Sequence, residues 1–257
     1  MMKLRVLGSG SEGNAILMHS DTTAVLIDAG FTCRELENRL KLAGFAPGNI
    51  KAIAITHEHA DHIRGAALFS RRYEIPLHLT RGTRLAANGQ LEKAGRIETV
   101  TPDEPFTVGD ITLHPFAIPH DAAEPVAYLG ECGGRRALVM TDLGHVTVRA
   151  MEKFRLAHLA LVESNHDPEL LKIGPYPWPL KQRIAGKLGH LSNDDCIQLL
   201  ADGAGGDLGT VIFAHLSRQN NNPNLVRAGA DSFFAAAGHA IKCEIARQDI
   251  PGELHDV

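Results

Sequence analysis

Cysteine is sparse and wrongly spaced for a framework: Cys33, Cys132, Cys196 and Cys243 stand far apart and make no CxxC pair. A disulfide scaffold and a structural zinc knot are both unexpected, and reduced, buried thiols are the default. No stretch approaches the roughly 18 apolar residues that a membrane-spanning helix needs. The opening Met1–Gly8 holds Lys3 and Arg5 without an uninterrupted apolar core. No secretory signal is expected there, and the reading is of a cytoplasmic protein without membrane association. Positive charge is not in excess: 26 Lys and Arg against 30 Asp and Glu leave a net charge of −4. That argues against binding nucleic acid through bulk charge, although a local basic groove is compatible with it. No low-complexity run, charge block or Ser/Gly-rich linker divides the 257 residues, so one domain over 1–257 is expected. What the chain does have is histidine, fourteen in all.

Short apolar runs alternate with helical patterns. Ala24–Asp28 and Ala52–Thr56 are continuous apolar runs of the kind that form strands buried on both faces. Between them Leu36, Leu40 and Ala43 recur at helical spacing, and Gly44 is placed to stop that helix. Further strands are expected at Pro76–Thr80, Ile111–Ile118, Val126–Glu131, Ala137–Thr141, His158–Glu163, Thr210–Ala214 and Ile241–Arg247. Helices are expected from about Thr147, around Leu180–Leu188 and Asp194–Ala201, and over Leu225–Ala236. Strands and helices mixed throughout imply an α/β (α+β) protein, with sheets covered by helices in layers.

The strand at Ala52–Thr56 runs directly into His57-Glu58-His59-Ala60-Asp61-His62. His57 and His59 are two apart, so an extended stretch points both the same way. Asp61 and His62 lie past a bend and can face a second ion. Imidazole and carboxylate ligands in this mixture suit zinc, iron or manganese. Three more candidates each follow an apolar strand: His120, Asp142 and His215. One such residue alone is usually just a loop residue; three in the same position carry more weight.

The string HxHxDH at 57–62, followed in order by His120, Asp142 and His215, resembles the binuclear metallo-β-lactamase superfamily. Asp28, at the end of an early strand, matches that superfamily's first motif. The segments Leu7–Asn14, Glu163–Asp167, Gly189–Asn193 and Ala214–Ser217 are similar to its YycJ/WalJ-type branch, whose members are regarded as DNA-processing exonucleases. The resemblance implies a four-layer αββα sandwich. It also implies that His57, His59 and His120 hold one metal, that Asp61, His62 and His215 hold the other, and that Asp142 bridges. Two divalent ions about 3.5–4 Å apart would share a hydroxide as nucleophile. Asp28 would orient the ligand loop, or be no more than a turn residue before Gly30.

Several other residues are candidates for chemistry. The resemblance also implies an acid that protonates the leaving oxygen, since related phosphodiesterases place a His before their last ligand and His190 stands 25 residues before His215; otherwise His190 merely precedes a helix capped by Ser192. Glu163 and His166 could orient it or share that catalytic role, as could Asp61 beyond its ligand role. The loop Gly8–Asn14 looks like a phosphate cradle, with Ser9, Ser11 and Asn14 as contacts, or a tight turn between strands. The segment Gly174–Arg183 sets Tyr176 and Trp178 beside Lys181 and Arg183, a patch for bases and phosphates or a rigid lead into a helix. Ser217 and Asn220–Asn222 follow His215, and Arg64, Arg71, Arg72, Lys181, Arg183 and Arg218 would form a basic rim if the fold gathers them. The leading function is a binuclear metal-dependent phosphodiesterase, a DNA exonuclease. The alternatives are a phosphodiesterase for a small cyclic phosphodiester and a glyoxalase-II-like thioesterase.

Overall fold

Strands here read as unbroken apolar runs because both faces of each sheet are covered. The computed structural model describes residues 1–237 and 241–257. Along the chain come β1 (Lys3–Gly8), β2 (Ala15–His19), β3 (Ala24–Ile27), β4 (Ile50–Ala54), β5 (Leu77–Thr80) and β6 (Ile97–Val100). They are followed by β7 (Phe106–Val108), β8 (Ile111–Ala117), β9 (Val126–Cys132), β10 (Arg135–Met140), β11 (Leu159–Glu163), β12 (Thr210–Ala214), β13 (Lys242–Ile245) and β14 (Leu254–Asp256). Two seven-stranded sheets result, in the orders β14-β1-β2-β3-β4-β5-β6 and β13-β12-β11-β10-β9-β8-β7. Both are mixed: β3 through β6 run parallel in one, and β10 through β13 in the other.

The helices are α1 (Cys33–Leu42), α2 (Ala60–Ile63), α3 (Ala66–Tyr73), α4 (Arg81–Ala86), α5 (Val148–Arg155), α6 (Pro168–Ile173), α7 (Trp178–Ile184), α8 (Asn193–Gly203) and α9 (Pro223–Ala237). Alternation along each strand sends side chains to two different cores. Leu4, Val6, Ile16, Met18, Val25 and Ile27 meet Leu113, Tyr128, Val139, Leu161 and Ile212 between the sheets. Leu17, Leu26 and Ile53 instead pack outward on Leu36 and Leu40 of α1 and Phe69 of α3. On the other side Leu138, Met140, Val162 and Phe213 pack on Phe154 of α5, Leu199 of α8 and Val226 of α9. The layers are therefore helix, sheet, sheet, helix, the αββα sandwich. At about 1.5–3 kcal/mol for each fully buried large aliphatic side chain, burial in these three clusters carries the stability.

Local signals end the helices where expected. Thr32, Thr147 and Ser192 cap α1, α5 and α8, each side-chain oxygen accepting from the backbone N–H three residues on. Gly44 follows the end of α1 with φ +69°, a conformation that favours glycine. The expected helix at Leu180–Leu188 is shifted: α7 is Trp178–Ile184 and closes before Gly186 and Gly189. At Gly189 a Cβ would lie 2.2 Å from the carbonyl oxygens of Arg183 and Ile184, so the chain turns back on itself there. The periodicity gives no sign of β6, β7 and β14 or of α2, α3, α4 and α6, and β1 and β2 enter the sequence reading only as the strands on either side of a Gly8–Asn14 turn.

Candidate metal centre

All the candidate ligands follow the carboxyl ends of strands, and those ends meet at one edge of the sandwich: β3 and β4 are parallel, β10 and β12 belong to the parallel run of the other sheet, and β8 points the same way as β10 because both pair antiparallel with β9. Asp28 follows β3, the 57–62 loop follows β4, His120 follows β8, Asp142 follows β10 and His215 follows β12. Asp28, Asp142 and His215 adopt left-handed backbone, with φ of 60°, 59° and 56°. Each such non-glycine residue costs about 1–3 kcal/mol and persists only where its surroundings hold it. Asp142 and His215 turn the chain at the strand end and bring their side chains into one group.

The hydrogen bonds around the rings determine what faces the centre. His57 Nδ1 donates to Thr56 Oγ1 (3.0 Å), whose own hydroxyl donates to Asp28 Oδ2 (2.9 Å). His62 Nδ1 donates to Asp28 Oδ2 (2.8 Å), His120 Nδ1 to the Gly189 carbonyl (3.1 Å), and His215 Nδ1 to Glu163 Oε1 (2.8 Å). With Nδ1 protonated, each Nε2 offers a lone pair. These lone pairs converge. His57 Nε2 and His120 Nε2 lie 3.0 and 3.3 Å from His59 Nδ1, His62 Nε2 lies 3.4 Å from Asp61 Oδ2, and His215 Nε2 lies 3.4 Å from the same oxygen. Lone pairs and carboxylate oxygens at such spacing repel unless protons or cations stand among them. The donor set therefore fits divalent metal. His57, His59 and His120 form one compact group of ligand atoms, and Asp61, His62 and His215 another.

Asp142 belongs to neither group alone. Its Oδ2 lies 3.2 Å from His62 Nε2 and its Oδ1 3.7 Å from His120 Nε2, and Oδ2 is buried without a hydrogen-bond donor. Although burial opposes ionisation, His215 and His62 hold its carboxyl well below the usual range. Burial likewise opposes charge on His62 and His215, yet Asp142, with Asp28 and Asp61 at the first ring and Asp61 and Glu163 at the second, draws both well above the imidazole range. The pocket thus calls for positive charge, as a metal would supply. At His57 and His120 burial prevails and keeps the rings neutral, the ligating form.

Glu163 and His190 stand beside this group. Glu163 is fully buried and accepts four hydrogen bonds. Oε1 receives His190 Nδ1 and His215 Nδ1, both at 2.8 Å, and Oε2 receives the backbone N–H groups of Leu143 (2.8 Å) and Leu191 (3.0 Å). Against the cost of burial, these partners and above all His190 bring its carboxyl down to about 2. Glu163 therefore acts through two histidines and does not itself reach the solvent. His190 lines the cavity over the candidate ligands. His166 is buried and is not part of that cavity's lining; its backbone bridges to Ser192.

The other candidates divide between scaffold and cavity. Ser9 and Asn14 are buried and their side chains are used internally. Ser9 Oγ donates to Asn14 Oδ1 (2.8 Å) and accepts from the His215 N–H (3.0 Å), while Asn14 Nδ2 lies 3.1 Å from His62 Nε2. Of the expected phosphate cradle only Ser11 faces the cavity, joined by Ser217 and Arg183. Lys181 Nζ donates instead to the Lys172 carbonyl. The basic rim is only partly gathered, because Arg64 and Arg218 are tied to Glu12 and Arg72 to Glu37. Asn221 is buried, its amide donating to the Ser164 carbonyl. Two residues carry more than the sequence reading gave them. Thr56 wires Asp28 to His57, a hydroxyl at the strand end just before a candidate ligand, and Asp121, next to His120, anchors Arg183 through Nε to Oδ2 at 2.5 Å.

Residues 23–215 match the model of the beta-lactamase superfamily domain. The chain is 34% identical over 244 residues to the exodeoxyribonuclease YycJ of Bacillus anthracis, covering 92% of this chain and 90% of that one. It is 33% identical over 224 residues to the exodeoxyribonuclease WalJ of Streptococcus pneumoniae, covering 85% and 83%. Among solved structures, Zn2+-bound PqqB from Methylobacterium extorquens superposes over the full length of both chains with a TM-score of 0.75 at 17% identity, a likeness of fold.

Proposed function

The chain belongs to the metallo-β-lactamase superfamily, in its YycJ/WalJ-type branch, and is a metal-dependent hydrolase; from that premise we propose that it is a binuclear phosphodiesterase that degrades DNA from an end. The observation that carries the reading is Asp142. A buried carboxylate with one oxygen toward His62, the other toward His120, and no donor on Oδ2 suits a ligand shared between two ions. His57, His59 and His120 would hold one ion and Asp61, His62 and His215 the other, with zinc, manganese and iron all compatible. When bound, two such ions lower the pKa of water and offset charge developing on a phosphoryl group.

The remaining work falls to the chain's own groups. His190 would protonate the departing oxygen. Its Nδ1–H is held by Glu163 at 2.8 Å, which leaves Nε2 as the nitrogen free to carry a proton in the cavity. Burial alone would keep this ring neutral, but Glu163 and then Asp142 raise its protonation above the ordinary histidine range, as a general acid requires. Asp28 would fix His62 and, through Thr56, His57. Ser11, Ser217 and Arg183 would meet the substrate's phosphates. DNA as substrate is supported by the activity named for the YycJ and WalJ relatives.

The test is degradation of linear DNA labelled at either end, with added Mn2+ and an Asp142→Ala control. Release of label by the wild type alone is expected, and comparison of the two labels gives the polarity. No release by a metal-replete protein that turns over a small phosphodiester would transfer the assignment to a small-substrate phosphodiesterase.

A further inference from the structure

The cavity over the candidate ligands, about 400 Å³ in volume, has two kinds of lining. The strand-end side is polar, with Asp61, Asp142, His190 and His215. The other wall comes from one stretch of chain at residues 176–184 and presents Tyr176, Leu180 and Ile184. Leu180, Arg183 and Ile184 are three and four apart on α7 and so share a face; Trp178, two residues from Leu180, does not line the cavity. Tyr176 is half-buried, and its ring and hydroxyl have no partner among the described residues. Arg183 has its Nε anchored by Asp121, and its terminal amino groups have no protein partner among the described residues. From Lys172 to Leu188 the chain carries four cations and no carboxylate, against a net charge of −4 for the whole.

A phosphodiester held at the strand ends has a charged phosphate to place against the polar side, and a base with flat π-faces to place somewhere else. We propose that the Tyr176–Leu180–Ile184 wall receives the terminal base of a nucleic-acid strand, taken out of its stack, while the Asp121-anchored Arg183 contacts the adjacent phosphate. This rests on the nuclease reading above and adds to it a requirement on the substrate: the terminal nucleotide must be unpaired when it reacts. A base still stacked in a duplex cannot lie against this wall, and unstacking costs least for a strand that is already single or frayed. An aromatic face accepts any base, so the wall implies little sequence preference.

The test compares single-stranded oligonucleotides, DNA and RNA, whose terminal nucleotide either carries its base or is abasic, at each end in turn. Release of the first nucleotide is measured with Mn2+. Stacking on one aromatic ring predicts that the abasic end is slower by about 5- to 140-fold in kcat/KM. Tyr176→Ala should lose the same factor on the normal end and nothing further on the abasic one, with Tyr176→Phe restoring the difference. Arg183→Gln should flatten the fall of log(kcat/KM) with log[salt] by about 0.7–1. On a duplex, a mispaired terminal base should react faster than a paired one. Equal rates on normal and abasic ends by a protein that does degrade the strand would overturn the proposal and leave the nuclease reading standing. Cleavage of neither end would remove both.

Discussion

Replacing Glu163 with Gln is the sharpest perturbation of this centre, because it changes one buried atom and leaves the volume alone. The carboxylate accepts four donors, two at each oxygen, at 2.8 to 3.0 Å. An amide has one oxygen to accept with, and its nitrogen brings two more hydrogens. Whichever way it turns, two N–H groups lose their acceptor inside a site with no solvent. At about 1–3 kcal/mol for each buried donor left unpaired, the loss is about 2–6 kcal/mol. For a chain of this size that is about 4–24 °C in Tm, at roughly 2–4 °C per kcal/mol. If the amide nitrogen faces the imidazoles, His215 can relieve the clash only by moving its proton from Nδ1 to Nε2, the nitrogen that would ligate. Loss of a partner of this kind weakens metal binding about 10- to 100-fold. His57, His59 and His120 do not touch Glu163, so one ion should weaken and the other should not. Thermal unfolding and titration against a chromogenic chelator read both effects. Glu163→Gln protein with wild-type Tm and wild-type affinity for two ions would refute the assignment of Glu163 as the group that sets His215.

Three further substitutions separate the roles. Asp142→Ala should abolish turnover and lower metal content at both positions, measured by elemental analysis of the folded protein; loss of a single equivalent would sink the shared-ligand assignment. His190→Ala should retain both ions and lose about 10²- to 10⁴-fold in rate, whereas loss of metal would move His190 among the ligands. Gly30→Ala would set a Cβ 1.6 Å from the Asp61 carbonyl oxygen, where the backbone of Asn14 also binds (2.8 Å). The Asp61 loop must then shift, and weaker affinity for the ion at Asp61, His62 and His215 is expected in the same chelator titration, with His57, His59 and His120 unaffected.

Much of the fold was legible because burial on both faces leaves a plain trace. Ala24–Ile27, Ala137–Met140 and Thr210–Ala214 are central strands, and their apolar runs match their ends to within a residue or two. What escaped was marginal in the same terms. β1 holds Lys3 and Arg5 at its half-buried positions, so its pattern is diluted by charge. β6 is mostly half-buried or exposed, and β14 is three residues long; neither has enough apolar face to stand out from a loop. α3 reads Ala-Ala-Leu-Phe-Ser-Arg-Arg-Tyr, too short for helical periodicity to repeat.

The candidate site was legible to a different depth, and the reason is chemical. Ligand-type residues are few in kind, and strand ends concentrate them, so His57 through His215 could be picked out one by one. Residues that hold ligands are of ordinary kinds and lie far away along the chain. Nothing in the spelling of Ser9 and Asn14 separates a substrate contact from a brace, and the small residues of that loop favoured the first reading. The structure uses both to brace the candidate ligands, Ser9 at the N–H of His215 and Asn14 at Asp61 and His62. Glu163 shows the same limit from the other side. It sits 27 residues from His190 and 52 from His215; the parallel pairing of β11 with β12 brings His215 to it, and the backbone bonds of Leu191 to Glu163 Oε2 and to the Asn165 N–H bring His190. The proposed acid and the proposed ligand are thereby coupled through a single oxygen, so a change at Glu163 should not be confined to proton transfer or to metal binding alone.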